Sequence, residues 1–381
     1  MSHSILFLIT GLFPGGAETQ LVLLAQELAS RGWEPTVVSM ISEGPLQSSL
    51  EASGIKVSSL GMRRGVPDPR AVLRMSGILR AEAPDILHTH MVHANLLGRV
   101  SRLFAPVPVV ISTAHSVTEG ARWKELAYRA TDRLADLTTI VSGAAAKRYI
   151  RIGAVPSHKL KVVPNGVPLQ AFQRDTETRA RMRKSLGVED RFTWLAVGRL
   201  DVPKDYPNLL AAIARLSKGG ILLIAGDGPL RESIERLAAD VGISDRVRFL
   251  GILKDIPALM TAADAYVMSS AWEGLPMVLL EASASALPIV ATDVGGNNEI
   301  VLDGISGFLV PAKSPEALAE AMQRIEQLST ESRRSLGLAG REHVAKHYSL
   351  TSVVDQWEQI YESLLRREYQ YLPHSQPVSQ T

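Results

Sequence analysis

Short runs of apolar residues alternate along the first half of the chain with longer stretches in which apolar residues recur at helical spacing. The first run, Ser4–Thr10, predicts a buried strand, and the helical stretch Ala17–Arg31 follows it. Further strands are predicted at Pro35–Met40, Asp85–His90, Val107–Thr113 and Leu137–Val141. Strands separated by helices of about 10–15 residues are typical of a parallel sheet with right-handed crossovers.

The same alternation starts again near residue 193 and predicts a second α/β unit. The predicted strands are Thr193–Val197, Gly220–Ala225, Val247–Gly251, Ala265–Ser269 and Pro288–Ala291. The predicted helices are Asn208–Leu216, Pro229–Val241, Pro315–Leu328, Glu331–His347 and Thr351–Glu368. The restart indicates two sheets rather than one continuous sheet.

The segment Val163–Arg174 separates the two units, because its prolines and its Asn-Gly pair interrupt all periodicity. A length of 381 residues also suits two domains better than one. We therefore predict an α/β protein with two Rossmann-like, doubly wound domains, residues 1–168 and 169–350, that face each other across a cleft. The helix at 351–368 is expected to pack back on the first domain, and residues 371–381 to form a flexible tail.

Composition narrows the possible functions. Hydrophobic residues make up 46% of the chain and charged residues 21%, which excludes collagen, coiled coils and wholly disordered chains. No run of 18 apolar residues is present, so no membrane span is predicted, and the first ten residues predict a strand rather than a signal peptide. The absence of cysteine excludes disulfides, cysteine-ligated zinc and thiol nucleophiles, and is compatible with a cytoplasmic location.

The charge is nearly balanced overall but not along the chain. A formal net charge of +2 argues against a general nucleic-acid binder. Residues 1–170 carry a net charge of +6, whereas residues 171–381 carry −4. The two halves are therefore expected to meet different partners.

The loops after the strands carry the candidate chemistry, because ligands of doubly wound folds bind outside the carboxyl ends of the strands. Gly15 and Gly16, between the first strand and the first helix, would let the backbone approach an anion at the helix N-terminus. The alternative is a plain glycine turn. The pattern is not GxGxxG, and strand two ends at Ser39-Met40 with no acid for a ribose hydroxyl, which disfavours a nicotinamide site.

The loop after the first strand of the second unit places Arg199 and Lys204 beside Gly198. Arginine offers a planar fork for phosphate and lysine a compact charge, so the pair suits a diphosphate. The alternative is a solvated loop in which Arg199 pairs with Asp201.

Two further turns follow strands of the second unit. Gly226–Pro229 is interpreted as a mainly structural turn, with Pro229 at the first helical position and Asp227 as a helix cap. Asp293–Asn297 follows a later strand and is expected to face the same cleft.

Glu273 and Glu281, two glutamates separated by seven residues, form the most specific pattern. Pro276 predicts a helix start between them, which turns both carboxylates and several backbone amides toward one ligand. These amides belong to Gly274, Leu275 and Met277. Paired carboxylates suit a vicinal diol of a sugar or a ribose. The alternative is two acids favoured by the helix dipole.

Four histidines lie near strand ends of the first unit. His88, His90 and His93 have a spacing found in metal sites, but without cysteine or an acid in a ligand pattern we favour a role in shaping the cleft. His115 follows a strand and is a candidate for the cleft, the alternative being a surface histidine. The chain has no Asp-x-Asp, so no carboxylate pair for a metal-bound diphosphate is predicted.

In order and spacing, these motifs resemble family 4 of the retaining glycosyltransferases, which have the GT-B fold. The resemblance covers roughly residues 4–365. Its motifs are Gly15-Gly16-Ala17-Glu18, Gly198-Arg199 with Lys204, Gly226-Asp227-Gly228-Pro229, and EGLPMVLLE from Glu273 to Glu281. It implies transfer of a hexose or N-acetylhexosamine from a nucleotide-sugar, with a UDP-sugar favoured, without a metal and with retention of the anomeric configuration.

The resemblance also implies roles for individual residues of the second unit. Arg199 and Lys204 would hold the donor diphosphate. Glu281 would bind the ribose diol, and Glu273 the hydroxyls of the transferred sugar. The amides around Gly274–Met277 would assist.

Other parts of the donor are assigned by the same resemblance. The amides of Gly15 and Gly16 would close on the phosphates, and His115 would lie beside the sugar near its anomeric carbon. Leu250 and Ile252 would lie against the base, with uracil and guanine both left open.

No carboxylate nucleophile is apparent near the expected anomeric position. We therefore expect front-face attack, in which the leaving diphosphate helps to deprotonate the acceptor and the two cations stabilise its charge. Closure of the domains about a hinge at Val163–Arg174 is expected to exclude water from the site. Three alternatives stay open: a nucleotide-sugar epimerase of the same fold, an NAD-dependent oxidoreductase and a non-catalytic module that binds sugar nucleotides.

The acceptor is expected to be a glycan or a lipid-linked glycan of bacterial surface-polysaccharide synthesis. Five arginines of the first domain have Asp68 as the only acid among them: Arg63, Arg64, Arg70, Arg74 and Arg80. A second basic group at partly helical spacing comprises Arg122, Lys124, Arg129 and Arg133. We expect this face to meet an anionic membrane or a lipid diphosphate, on the inner face of the cytoplasmic membrane. Solvated helix faces are the alternative.

Overall fold

A computed structural model describes residues 3–42, 44–118, 120–217 and 219–366. The predicted tail at 371–381 and the last residues of the predicted final helix lie outside these ranges. The chain divides into two compact units: one runs to Val163 and resumes at Val353, and the other is Pro164–Ser352. The sequence predicts the division at 168/169, so the observed boundary lies at the start of the predicted hinge segment.

The first unit is built on a seven-stranded parallel sheet in the order β3-β2-β1-β4-β5-β6-β7. Its strands are β1 (Ser4–Ile9), β2 (Glu34–Ile41), β3 (Lys56–Met62), β4 (Ile86–His90), β5 (Val109–Ala114), β6 (Leu137–Ile140) and β7 (Leu160–Val162). Its connecting helices are α1 (Gly16–Ser30), α2 (Gln47–Ala52), α3 (Arg70–Glu82), α4 (Val92–Ser101), α5 (Arg122–Thr131) and α6 (Gly143–Arg151). Leu8, Leu87 and Val110 of the central strands are fully buried in its core.

The second unit repeats the design with six parallel strands in the order β10-β9-β8-β11-β12-β13. These are β8 (Thr193–Val197), β9 (Ile221–Ala225), β10 (Val247–Gly251), β11 (Ala265–Met268), β12 (Ile289–Thr292) and β13 (Gly307–Val310). Its helices are α7 (Thr176–Ser185), α8 (Tyr206–Arg215), α9 (Arg231–Asp240), α10 (Ile256–Ala262), α11 (Met277–Ala284), α12 (Asn297–Ile300), α13 (Pro315–Gln327) and α14 (Thr330–His347). Leu222, Val267 and Val290 are fully buried in this second core.

The last helix, α15 (Leu350–Leu365), packs against the first unit. The hydroxyl of Tyr361 lies 2.8 Å from Nδ1 of His88 on β4. On the surface, Arg31 forms salt bridges of 2.6 Å with both Asp355 and Glu358. The C-terminal part of the chain therefore completes the unit that the N-terminal part begins.

The pattern predicts every inner strand and the edge strand β10, but it misses β3, β7 and β13. All three lie at sheet edges. The sequence of β3, Lys56–Met62, is largely polar and half-exposed, and β7 and β13 are only 3 and 4 residues long. An edge strand needs no continuous apolar run, because neighbours cover it only in part.

The prediction for the start of α9 is wrong. The helix begins at Arg231, so Pro229 precedes it, and Asp227 does not cap it but accepts a 2.7 Å hydrogen bond from the amide of Gly228. A Cβ on Gly228 would lie 2.3 Å from the carbonyl oxygen of Leu200. The turn therefore continues past Pro229, because the chain packs first against the neighbouring loop.

Each sheet changes its direction of winding at one point. In the first unit the switch lies between β1 and β4, and in the second between β8 and β11. Loops that leave neighbouring strands in opposite directions open a crevice at the carboxyl ends, where ligands of such sheets bind. In the second unit the loops at this point contain Lys204 and Glu273.

Candidate active site

An ion pair joins the two loops at the switch point of the second unit. Nζ of Lys204 lies 2.6 Å from Oε1 of Glu273, and the same oxygen accepts a 2.6 Å hydrogen bond from the hydroxyl of Ser270. Both charged side chains are mostly buried, with 21% and 12% of their surface exposed. The structure thus brings together a cation and an acid that the sequence assigns to different parts of one ligand.

The loop that carries Lys204 is fixed by the loop after β11. A short 3₁₀ helix, Val202–Lys204, leads to Asp205, which adopts the left-handed conformation with φ of 45°. The hydroxyl of Ser269 donates to the carbonyls of both Lys204 and Asp205, at 2.9 and 3.0 Å. A left-handed non-glycine residue is strained, so these bonds hold a conformation that the sequence alone would not favour.

The glutamate segment is fixed by the turn after β12. Gly295 has φ of +58°, and a Cβ there would lie 2.1 Å from the carbonyl oxygen of Glu273. The amide of Gly296 donates a 2.8 Å hydrogen bond to the carbonyl of Gly274. The Asp293–Asn297 turn therefore lies directly against the glutamate segment, and glycine is required at position 295 because any side chain would push the two segments apart.

Glu281 lies in the second turn of α11, behind the loop that contains Glu273. Burial raises its pKa to about 7, because a carboxylate in a poorly solvated place loses its hydration. The hydroxyl of the buried Tyr266, 3.2 Å from the carbonyl of Val197, is part of the same environment. A carboxyl that is costly to ionise when solvent is excluded gains most from a ligand that donates hydrogen bonds to it.

Arg199, by contrast, points away from the ion pair. Its side chain is 55% exposed, and its Nε lies 3.4 Å from a carboxylate oxygen of Asp201. This is the contact that the alternative interpretation of the loop predicts. Gly198 lies against the stem of Lys204, since a Cβ there would be 3.2 Å from Cε of the lysine. Lys204 is therefore the cation that the structure places at the switch point.

The predicted base contacts, Leu250 and Ile252, flank Gly251 at the end of β10. Gly251 has φ of +68°, and its carbonyl accepts a 2.8 Å hydrogen bond from the amide of Gly226. Leu250 is partly buried, whereas Ile252 is 71% exposed. An isoleucine held outward on a rigid turn is available to cover an apolar or aromatic ligand face.

In the first unit, Gly15 caps the N-terminus of α1, which starts at Gly16. The carboxylate of Glu18 lies at this helix start, since a Cβ on Gly15 would be 2.4 Å from its Oε2. Burial raises the pKa of Glu18, while a hydrogen bond from its own backbone amide and the charge of Arg64 lower it. The amides that the sequence assigns to a phosphate thus already have an acid beside them.

His115 is partly buried in the first unit with its ring nitrogens enclosed, so the surface interpretation of this residue is wrong. Its Nε2 lies 2.9 Å from Nδ1 of His90, and its Nδ1 has no hydrogen-bond partner among the described residues. Burial lowers the pKa of His115 to about 4 and holds the pKa values of His88 and His90 well below the usual range. All three imidazoles are therefore neutral near pH 7.

A metal interpretation of these histidines gains no support. His88 bonds to Tyr361 and, at 2.6 Å, to the hydroxyl of Thr113, while His93 lies on α4. Across residues 3–42, 44–118, 120–217 and 219–366, no three His, Asp or Glu side chains are grouped so that they could hold a metal ion. No helix in the same ranges is long and apolar enough to cross a membrane.

Three side chains of these sites were not predicted: Ser270, Glu18 and His90 as the partner of His115. Ser270 precedes Glu273 by three residues, and Glu18 follows the glycine pair that we assigned to phosphate, so nearness in the sequence is a signal for these two. His90 and His115 are 25 positions apart and carry no such signal. Only the folded loops determine which atom each side chain reaches.

Known proteins resemble this chain in sequence and in fold. Two family models match the chain, Glycosyltransferase Family 4 over residues 14–171 and Glycosyl transferases group 1 over residues 178–343. The GDP-mannose-dependent alpha-(1-6)-phosphatidylinositol monomannoside mannosyltransferase of Mycolicibacterium smegmatis is 31% identical over 93% of this chain and 94% of its own length. The UDP-Gal:alpha-D-GlcNAc-diphosphoundecaprenol alpha-1,3-galactosyltransferase of Escherichia coli is 30% identical over 68% of this chain and 71% of its own.

Among solved structures, Anabaena Alr3699/HepE in complex with UDP is similar with a TM-score of 0.84 and 23% identity, over 95% of this chain and 100% of that one. The two parallel α/β units have the GT-B fold of these glycosyltransferases. The chain belongs to glycosyltransferase family 4.

Replacing Glu281 with Gln tests its burial. A raised pKa means that the native state gives up stability as Glu281 ionises, so stability is full below about pH 4.5 and falls as the pH rises through about 7. Glu281→Gln cannot ionise. We expect its melting temperature to match wild type at pH 4.5 and to exceed it by a few degrees at pH 8, for a free-energy difference of order 2 kcal/mol. A difference that does not change with pH would contradict this.

Proposed function

We propose that the protein is a retaining glycosyltransferase that moves a hexose or N-acetylhexosamine from a nucleotide-sugar, with a UDP-sugar favoured, to a glycan or lipid-linked acceptor. The Lys204–Glu273 ion pair at the switch point carries this proposal. When a diphosphate binds, the lysine can exchange its ion pair with the carboxylate for one with the phosphates. The carboxylate can then accept hydrogen bonds from sugar hydroxyls. Both groups are held in place before the ligand arrives, which reduces the cost of ordering them.

The proposed reaction breaks the bond between the anomeric carbon and the diphosphate and forms a bond to the acceptor oxygen on the same face. The acceptor proton passes to the leaving diphosphate oxygen. With the donor bound, Ser270 still bonds to Oε1 of Glu273, and the proposed contacts of this carboxylate are sugar hydroxyls, which supports front-face attack over a covalent intermediate. Lys204, joined by Arg199 if its loop turns inward, would stabilise the leaving charge without a metal.

His115 would act as a neutral group in this mechanism. Burial keeps the pKa of the ring near 4, so it cannot serve as an acid in the neutral range. It would instead offer a hydrogen bond beside the sugar. One of these relatives is named for UDP-Gal and the other for GDP-mannose as the donor, and both names include an acceptor built on a lipid, which supports a lipid-linked acceptor.

The five arginines between Arg63 and Arg80 are not the best candidates for peripheral membrane contact in the first unit. Arg70 and Arg74 both bond to Asp68, at 3.0 and 2.7 Å, and hold its pKa at about 2. Arg80 donates to the carbonyl of Phe104. These arginines already have partners, so their charge is partly used within the protein.

Helix α5 offers a better membrane face. Trp123 and Leu126 are 57% and 64% exposed, and exposed arginines lie on the same side of the helix and just beyond it. These are Arg122, Arg129 and Arg133. The acid of the helix, Glu125, is engaged by Arg148. Apolar side chains flanked by cations are suited to an anionic lipid surface.

The function is tested by turnover. UDP-glucose, UDP-galactose, UDP-N-acetylglucosamine and GDP-mannose are offered with GlcNAc-diphosphoundecaprenol or phosphatidylinositol monomannoside, and released nucleoside diphosphate and glycolipid product are measured. We expect product with one of these nucleotide-sugars. The transfer rate of Lys204→Ala should be about 10²–10³-fold lower than that of wild type, because a cation that stabilises the leaving diphosphate is removed. Arg215→Ala, which removes an exposed ion pair on α8, is the matched control and should keep wild-type rates.

Other outcomes would overturn the proposal. Interconversion of donors without acceptor indicates an epimerase, and donor binding without turnover indicates a binding module. Reduction of a nicotinamide cofactor would indicate an oxidoreductase. Wild-type transfer by Lys204→Ala would remove the phosphate role of that residue.

Membrane contact is tested by co-sedimentation with phosphatidylglycerol–phosphatidylcholine vesicles. We expect binding at low salt that weakens as salt is added, because the attraction is screened. Trp123→Ala with Leu126→Ser should lower the bound fraction several-fold, whereas Leu338→Ser, an exposed apolar residue of the second unit, should not. No binding at low salt, or equal binding by the double variant, would contradict the assignment.

A further inference from the structure

Asn165 lies in the segment that separates the two units in sequence, and its side chain reaches the glutamate loop. The residue is 4% exposed, and its Nδ2 donates a 2.9 Å hydrogen bond to the carbonyl of Leu275. These residues are 110 positions apart in the chain. A buried amide that spends its donor on one loop carbonyl fixes the orientation of that carbonyl.

Each carbonyl of the glutamate loop from Gly274 to Pro276 has a hydrogen-bond donor. That of Gly274 accepts from the amide of Gly296, that of Leu275 from Asn165, and that of Pro276 from the amide of Leu279. In a planar trans peptide the N–H points opposite to the C=O. The N–H of Leu275 is therefore directed opposite to the carbonyl of Gly274, and the N–H of Met277 opposite to that of Pro276. The peptide that Asn165 holds lies between these two and has no N–H of its own, because its nitrogen belongs to Pro276.

The same segment is tied to the place where the chain leaves the second unit. The amide of Val167 donates to the carbonyl of Tyr348, and the amide of Leu350 donates back to the carbonyl of Val167, both at 2.9 Å. Val167 is fully buried. The segment that contains Asn165 and Val167 is therefore hydrogen-bonded both to the loop that holds Glu273 and to the end of the second unit at Tyr348 and Leu350.

We propose that Asn165 is a positioning residue for the donor. By holding the carbonyl of Leu275, it fixes the peptide plane between Leu275 and Pro276, and this limits how far the two neighbouring peptides, which carry the amides of Leu275 and Met277, can turn away from the donor's phosphate and sugar oxygens. This inference rests on the proposed function of the loop. Asn165 itself touches no substrate.

The test uses Asn165→Asp and Asn165→Ala, with the affinity for the accepted nucleotide-sugar measured by calorimetry at pH 5.5 and 8.5. In Asn165→Asp, an ionised carboxylate would repel the carbonyl of Leu275, whereas the protonated acid can donate to it as the amide does, and burial favours that protonated form. We expect about tenfold weaker binding by Asn165→Asp than by wild type at pH 8.5, for a change of about 1.4 kcal/mol, and near wild-type binding at pH 5.5. Asn165→Ala should stay weak at both pH values.

Asn208→Asp is the matched control, because Asn208 is a buried asparagine of the same unit, 7% exposed on α8. It reports the cost of burying a carboxylate. Its melting temperature should fall, but the ratio of its nucleotide-sugar affinity to that of wild type should be the same at both pH values. In turnover, the Asn165 variants should raise the donor KM and leave the acceptor KM unchanged.

The outcomes separate this inference from the function on which it rests. If wild type binds no nucleotide-sugar, the proposed function fails. If wild type binds and both Asn165 variants bind equally well at both pH values, or if Asn165→Asp stays as weak as Asn165→Ala at pH 5.5, the positioning role is wrong. Should Asn165→Asp not fold, Asn165→Ala decides the question by itself, because wild-type affinity of Asn165→Ala for the nucleotide-sugar would contradict the positioning role.

Discussion

The parallel direction of all strands in the second unit is the constraint on which its site depends. Six strands that run the same way deliver every following loop to one edge of the sheet, so residues far apart in the chain meet there without any local signal. Lys204 follows β8, Glu273 follows β11 and Gly296 follows β12, yet hydrogen bonds of 2.6–2.8 Å connect their loops. An antiparallel sheet would send alternate loops to opposite ends, and the ion pair could not form.

The site is assembled at a cost to stability, and the cost is placed where a ligand can offset it. Burial of Glu281 opposes its ionisation, and Asp205 adopts a left-handed backbone conformation. Lys204 and Glu273 form an ion pair that a diphosphate could replace. Under the proposed function, a diphosphate would take the place of Glu273 on Lys204, and diols would donate hydrogen bonds to Glu273 and Glu281. Such local conflicts are expected at functional sites, because a fold optimised only for stability would remove them.

Much of this arrangement could be predicted from the sequence, and the limits have physical causes. Buried inner strands show themselves as apolar runs, and glycine and proline mark the turns, so the two sheets and the loops that bear the site follow from the pattern. Edge strands such as β3 carry no such run. Which atoms meet depends on rotamers and packing across loops. His115 faces His90 and Asn165 reaches Leu275, and spacing in the chain determines neither contact. For Arg199 the sequence offers both a diphosphate and Asp201 as partners, and only the folded loop shows the contact with Asp201.

We propose that Lys204 and Glu273 bind different parts of one donor, the lysine its phosphates and the glutamate its sugar. Calorimetric affinities of UDP and UDP-glucose, or of GDP and GDP-mannose if guanine is the accepted base, test it in wild type, Lys204→Met and Glu273→Gln. Lys204→Met should bind both ligands more weakly. Glu273→Gln should bind the nucleoside diphosphate as well as wild type or better, because its lysine is released, and lose only the added affinity for the sugar. Equal loss of nucleoside diphosphate binding in the two variants, or no loss in Lys204→Met, would contradict the account.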